Sequence, residues 1–288
     1  MESAIGELSN AGRWGPADEL GTLNLITPAL RLRALSLPRT GAVVALGRMI
    51  AAHGPSSTMV ARLDEIDGSV VSASDTLTIS PHGFELTHLD ALGHSILDGR
   101  TYNGRDLDRT FADGALVAAS IDAAGAGIIT RGVLLDIARA RGVVHLPAGE
   151  PVTAADLDAA EQLAGVGVEP GDAVFVRTGL ARRLAGAPDD PGLREGVAPE
   201  AIRWLFDRDV AIYSGDCIER LPSGIPGLPM PLHQIGMARM GLWFLDNPDC
   251  EALRDACDAH DRSDFAVVIL PLRIVGATGS VVNPVAIF

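Results

Sequence analysis

Apolar positions along the chain switch repeatedly between a period of two and a period near 3.6, which predicts strands interleaved with helices. Residues 42–50 and the alternating Ser74-Asp75-Thr76-Leu77-Thr78-Ile79-Ser80 read as strands, the second of them half-buried, and the apolar run 116–121 as another. Val133, Leu134, Ile137 and Ala138 fall at helical spacing within 131–141. A second helix is expected from Thr153 to about Gly165, because Thr153 can cap the first turn and the Asp156 carboxylate complements the helix dipole there. Residues 171–179 read as a glycine-bounded buried strand, 199–207 as a helix with Ile202, Leu205 and Phe206 on one side, 210–213 as a strand, 250–260 as a helix and 265–271 as a strand. Thr27 followed by Pro28 opens a helix through Leu35, and residues 1–40 are expected to form an ordered arm folded onto the body. The Pro-rich stretch 222–231 reads as a shaped loop and 276–284 as a glycine-containing loop. No repeat and no break in composition divides residues 1–288, so a single mixed α/β domain is expected.

The strand ending at Ser80 runs into the densest chemistry of the chain: Pro81-His82-Gly83, then Thr87-His88-Leu89-Asp90-Ala91-Leu92-Gly93-His94. Four of the seven histidines lie between His53 and His94. In an extended segment His88 and Asp90 project from one face, and neutral imidazole with carboxylate is a donor pair that zinc or manganese accepts. The plainer alternative is two satisfied polar residues at a strand end, but His82 and His94 nearby weigh toward a site. His233 emerges from the Pro-rich loop as a distant candidate ligand, with Asp246 on the following element. Asp216 sits in a turn directly after a buried strand, where α/β folds place working residues. His145 and His260 lie among surface-like residues and are expected to be solvated, and His53 to be a loop residue.

Composition narrows the chemistry. The 288 residues are 47% apolar and 21% charged, with no apolar window long enough to span a bilayer and no signal-peptide pattern in residues 1–20, so a cytoplasmic protein is expected. A formal net charge of −14 argues against nucleic acid as a partner. Lysine is absent altogether, which excludes a side-chain Schiff base and a P-loop lysine. The three cysteines form no C-x-x-C pair and suit a reducing compartment. G-x-S-x-G and H-E-x-x-H do not occur, and Gly125-Ala126-Gly127 lacks the rest of a dinucleotide fingerprint.

The arrangement resembles the cyclase family of metal-dependent hydrolases, the group of bacterial kynurenine formamidase and isatin hydrolase, whose mark is H-x-G-T-H-x-D-x-P-x-H. Thr87, His88, Asp90 and His94 match in register. Trp14-Gly15 with Asp18-Glu19, Asp98-Gly99 with Tyr102-Asn103-Gly104, Gly171-Asp172 with Arg177-Thr178-Gly179, Pro231-Leu232-His233 and residues 276–284 are similar to segments of longer members. The resemblance implies a swivelling β/β/α-type mixed sheet, a homodimer with its site near the interface, His88, Asp90 and His233 as metal ligands, Asp246 in place of a family glutamate ligand, and His94 as a proton shuttle. Three positions depart from the motif: Phe84 stands where its first histidine belongs, Leu86 replaces its glycine and Leu92 its proline. A phenylalanine cannot bind an ion. The expectation is one zinc or manganese ion held by His88, Asp90 and His233, with an auxiliary role for His82 or loss of metal binding as the alternatives. On an extended strand His82 would face the right way but lie about 7 Å from the required place.

The implied activity is hydrolysis of an amide, lactam or ester bond in a small cyclic or aromatic substrate by metal-activated water, with His94 carrying the proton and Phe84, Leu86, Leu92, Asp216 and Ser280 around the substrate. A polyketide-type cyclase or dehydratase using the same residues as acid and base is the rival enzyme, and a metal-free ligand-binding remnant the non-enzymatic reading.

Overall fold

A computed structural model describes residues 7–288. Nine strands share one sheet, in the order Val43–Ala45, Val285–Ile287, Asp264–Ile269, Ile128–Asp136, Ala173–Arg177, Ile212–Gly215, Trp243–Asp246, His88–Asp90 and Gly279–Val281. The four strands from Ile128–Asp136 to Trp243–Asp246 run parallel, and the flanking pairings on both sides are antiparallel. This is the expected mixed α/β architecture.

Parallel strands are covered on both faces, so their side chains feed two separate cores. Leu134, Phe175, Ile212 and Trp243 belong to one. Val133, Leu135, Val174, Val176, Tyr213 and Phe244 alternate with them into the other. The helix Ala154–Ala164 begins with the expected cap: the Thr153 side chain accepts from Asp156 N while Asp156 accepts from Thr153 N at 2.8 Å. Thr27 caps Pro28–Leu35 through its side chain alone, which accepts from Leu30 N. Near the amino terminus, Asn103 donates to Gly15 O at 2.9 Å and the buried Tyr102 hydroxyl to Asp18 Oδ2 at 2.8 Å, joining segments that lie far apart in sequence.

Several expected elements change. The helix over 131–141 is instead the strand Ile128–Asp136 followed by one helical turn, Ile137–Ala140. A strand buried on both faces carries apolar residues without alternation, and such a run satisfies a helical period equally well. The run 116–121 contributes only the end of Ala115–Leu116 before a 3₁₀ turn at Ile121–Ala124. Residues 276–284 are more than a loop, because Gly279–Val281 is the sheet's edge strand beside His88–Asp90. The alternating stretch around 74–80 belongs to Ser69–Ile79, which pairs with Ser57–Ile66 in a long hairpin outside the main sheet. One face of that hairpin sets Leu63 opposite Ala73 and Met59 opposite Leu77, with Leu63 66% exposed.

Arg141 ties the first turn of Ala154–Ala164 to the body by gripping Asp156 at 2.7 and 2.6 Å. Burial alone would raise the Asp156 carboxyl, but hydrogen bonds from Arg141 and Thr153 hold it at about 2, below its ordinary 3.8. A depressed folded-state pKa makes this contribution to stability complete above about pH 4 and loses it as the pH falls through about 2. Urea unfolding of Arg141→Met should show a lower midpoint at neutral pH and a shallower decline between about pH 4 and about pH 2 than the parent chain.

Candidate metal centre

The antiparallel pairing of His88–Asp90 with Trp243–Asp246 sets His88 directly opposite Asp246. Alternation along the strand puts Asp90 on the same face as His88. The third contributor comes from Leu232–Met237, a π-helical segment that follows the Pro-rich loop and turns His233 inward. The loop before His88 is pinned from the same side: the Asn247 amide donates to Gly83 O at 2.7 Å and Leu86 O at 3.1 Å, while Thr87 Oγ1 donates to Asn247 O at 2.7 Å.

Four side chains converge. His88 Nε2 lies 3.4 Å from Asp90 Oδ1 and 4.0 Å from Asp246 Oδ2. His233 Nε2 lies 3.8 Å from Asp90 Oδ2 and 3.6 Å from Asp246 Oδ2. Neither oxygen of Asp90 nor Oδ1 of Asp246 has a hydrogen-bond partner, although all three are buried. The tautomers are set from behind. His88 Nδ1 donates to Leu86 O at 2.9 Å, and His233 Nδ1 donates to the buried Glu219 carboxylate. Both Nε2 atoms therefore face the carboxylates. Ligand atoms around an ion with bonds of ~2.0–2.1 Å stand about 3.3 Å apart, close to these separations, so imidazole and carboxylate donors grouped around Asp90 suit a divalent ion. His82, His88 and Asp90 form a second group that shares Asp90 with the group Asp90, His233 and Asp246.

The electrostatics agree with the geometry. Burial lowers the His88 imidazole, but Asp90 and Asp246 outweigh it and raise the pKa to about 9. His233 is likewise depressed by burial and pulled well above its ordinary value by Asp246 and Glu219. Both shifts report one property: this pocket demands a cation, whether protons on the imidazoles or a metal ion between them. His94 differs, because burial dominates and lowers its pKa, leaving a neutral imidazole at pH 7 stacked on His82 at 3.9 Å between ring centroids.

Other expected site residues fall elsewhere. A cavity of about 100 Å³ is lined by Phe84, His94, Cys217, Ile218, Leu221 and Met230 together with the converging donors. Phe84 stands at its lip, 43% exposed, under the Arg194 guanidinium at 4.6 Å. Leu86 and Leu92 are buried in the protein and do not line it. Asp216 is a structural anchor that accepts from Thr178 N, Thr178 Oγ1, Gly179 N and Leu180 N at 2.8–3.0 Å. The Ser280 hydroxyl is consumed by Leu272 N and Val281 O. A larger surface groove of about 410 Å³ around Arg139, Arg254 and Asp258 contains no histidine, so chemistry belongs to the smaller cavity. Glu219 and Asn247 were not foreseen. Their only trace in the sequence is a position shortly after a buried segment on the carboxyl side of the parallel strands, a trace shared by many loop residues.

The model of the putative cyclase family matches residues 44–219, and the chain belongs to that family. A solved structure described as a novel cyclase is 26% identical over 98% of this chain and 100% of that one, with a TM-score of 0.88. The fold is also similar to an isatin hydrolase bound to the product analogue thioisatinate, with 17% identity, a TM-score of 0.60 and coverage of 90% of this chain and 95% of that one. Isatin hydrolase A from Ralstonia solanacearum is 20% identical at a TM-score of 0.56, with the same coverage. No curated protein matches the chain.

Glu219 also accepts from Leu232 N at 2.9 Å, so it fixes both the backbone and the ring that present His233. Outer partners of this type tune ligand basicity and orientation. Glu219→Gln should weaken zinc binding by about 10–100-fold in a competition titration with a chromogenic chelator, with the circular dichroism spectrum unchanged.

Proposed function

We propose that this chain is a metal-dependent hydrolase that opens an amide or lactam bond in a small cyclic substrate. The observation that carries the reading is the pair of buried Asp90 oxygens without hydrogen-bond partners, 3.4 Å from His88 Nε2 and 3.8 Å from His233 Nε2, with Asp246 beside them. The likeness in fold to isatin hydrolases supports the substrate class. A divalent ion, zinc or manganese by its donors, supplies Lewis-acid polarisation of a carbonyl and makes water acidic enough to react at neutral pH. His88, Asp90, His233 and Asp246 hold it. His94, neutral and at the cavity wall, is placed to take a proton from the attacking water and pass it to the leaving nitrogen. The apolar wall of Phe84, Ile218, Leu221 and Met230 receives the ring and excludes water.

Size favours this reading over a polyketide cyclase. The cavity of about 100 Å³ is far below the ~300–1,000 Å³ typical of sites for larger ligands, so it suits a single small ring rather than a folded chain. Dialysis against a chelator should abolish turnover of a panel of lactams, aryl amides and cyclic esters, and zinc or manganese should restore it; turnover indifferent to both treatments would overturn the assignment.

The chain works as a homodimer in this reading. A long hairpin outside the main sheet has little apolar cover of its own, and its exposed Leu63 and Leu77, on Ser57–Ile66 and Ser69–Ile79, suit a second copy. Among the described residues no helix is long and apolar enough to cross a membrane, and three buried free cysteines suit a reducing cytoplasm. Sedimentation should give a dimer for the parent chain and a monomer for the double variant Leu63→Asp with Leu77→Asp.

A further inference from the structure

The family motif places its first histidine at position 84, and this chain has Phe84 there. We propose that His82 takes over that ligand place, and that Thr278 and Gly279, from the far end of the sequence, form the seat that aims its ring. The inference rests on the metal-dependent reading above and adds to it a ligand and its support.

The extended geometry that would leave His82 about 7 Å away does not apply. Residues 81–87 are a loop, and Gly83 adopts φ +113°, a conformation that side chains rarely adopt. The turn carries His82 back over the strand, so that its Nδ1 lies 2.9 Å from Asp90 Oδ1. That nitrogen is buried and has no hydrogen-bond partner. On the opposite side of the ring, Nε2 stands 2.9 Å from Thr278 Oγ1. With the proton on Nε2 donated to the threonine hydroxyl, the Nδ1 lone pair is bare and directed at Asp90. This is the second-partner arrangement by which a liganding histidine is oriented.

Gly279 completes the seat. A Cβ at this position would come 2.7 Å from His82 Cε1, closer than real Cβ atoms approach. Gly279 also pairs with Asp90 across the strands, so the same backbone fixes the register of the carboxylate and clears space for the imidazole. His82 meets the His88 ring edge-on at 5.3 Å between centroids. Phe84 is directed elsewhere, to the cavity lip beneath Arg194.

Zinc titration and cobalt absorption of the purified full chain test this without reference to turnover. His82→Ala should weaken zinc binding by more than about 100-fold and change the visible band of the cobalt-loaded protein, since losing a ligand exceeds the ~10–100-fold cost of losing an outer partner. Thr278→Val, which keeps the shape of the seat and removes its acceptor, should weaken binding by about 10–100-fold and guards against misfolding of the first variant. Adding Phe84→His to His82→Ala should recover nothing, because position 84 stands at the cavity lip beneath Arg194. Parent-like affinity and an unchanged cobalt band in both His82→Ala and Thr278→Val, or recovery through Phe84→His, would overturn the role of His82 while leaving a metal centre in place. A parent chain that binds neither zinc nor cobalt would overturn the metal-dependent reading itself.

Discussion

Two buried carboxylates, most of whose oxygens find no hydrogen-bond donor, set the terms for this molecule. Burying an ionised group without compensation costs several kcal/mol, and Asp90 and Asp246 lie side by side with three such oxygens between them. The imidazoles around them do not relieve this as neutral groups, because His88 and His233 have their Nδ1 protons committed to Leu86 O and Glu219. The cluster is suited to a cation. The raised pKa values of both imidazoles are the response of the same site to that demand when only protons supply the charge.

The sheet explains why the cluster can exist. Parallel strands at the centre fill both cores and give a rigid base, and the change of direction at Trp243–Asp246 and His88–Asp90 brings two chain segments more than 150 residues apart into residue-by-residue register. A carboxylate and an imidazole then face each other across one strand pair. The edge strand Gly279–Val281 closes the other side, and donors from three regions of the chain, 82–90, His233 and Asp246, meet against it. The donors are carried by a sheet scaffold, with the 81–87 loop and the Pro-rich segment bringing the remaining side chains to it.

The support around the donors is as specific as the donors. Glu219 holds His233, Leu86 O holds His88, and Asn247 holds the loop that carries His82 and Phe84. Against that frame, a phenylalanine in the motif's first position costs the site less than the motif alone implies. The ring stands at the mouth of the cavity, where an apolar wall is useful, and an imidazole nitrogen from two residues earlier lies 2.9 Å from Asp90 Oδ1.

Local patterns in the chain determined much of this. The capped helices at Thr27 and Thr153, the buried strand before Arg177, and the shared face of His88 and Asp90 follow from cap chemistry and from the period of a strand, which depend on neighbours in sequence. What required the tertiary structure is whatever depends on distant partners. The run at 128–136 could serve a helix or a central strand until its neighbours in the sheet were present to bury both faces. Leu86, Leu92, Asp216 and Ser280 have residue types that suit a pocket, yet packing and hydrogen bonds use them elsewhere. His82 was a histidine in the wrong register by the spacing of an extended chain; a turn at Gly83, the hydroxyl of Thr278 and the bare Cα of Gly279 place it at Asp90, and no local rule connects residues about two hundred positions apart.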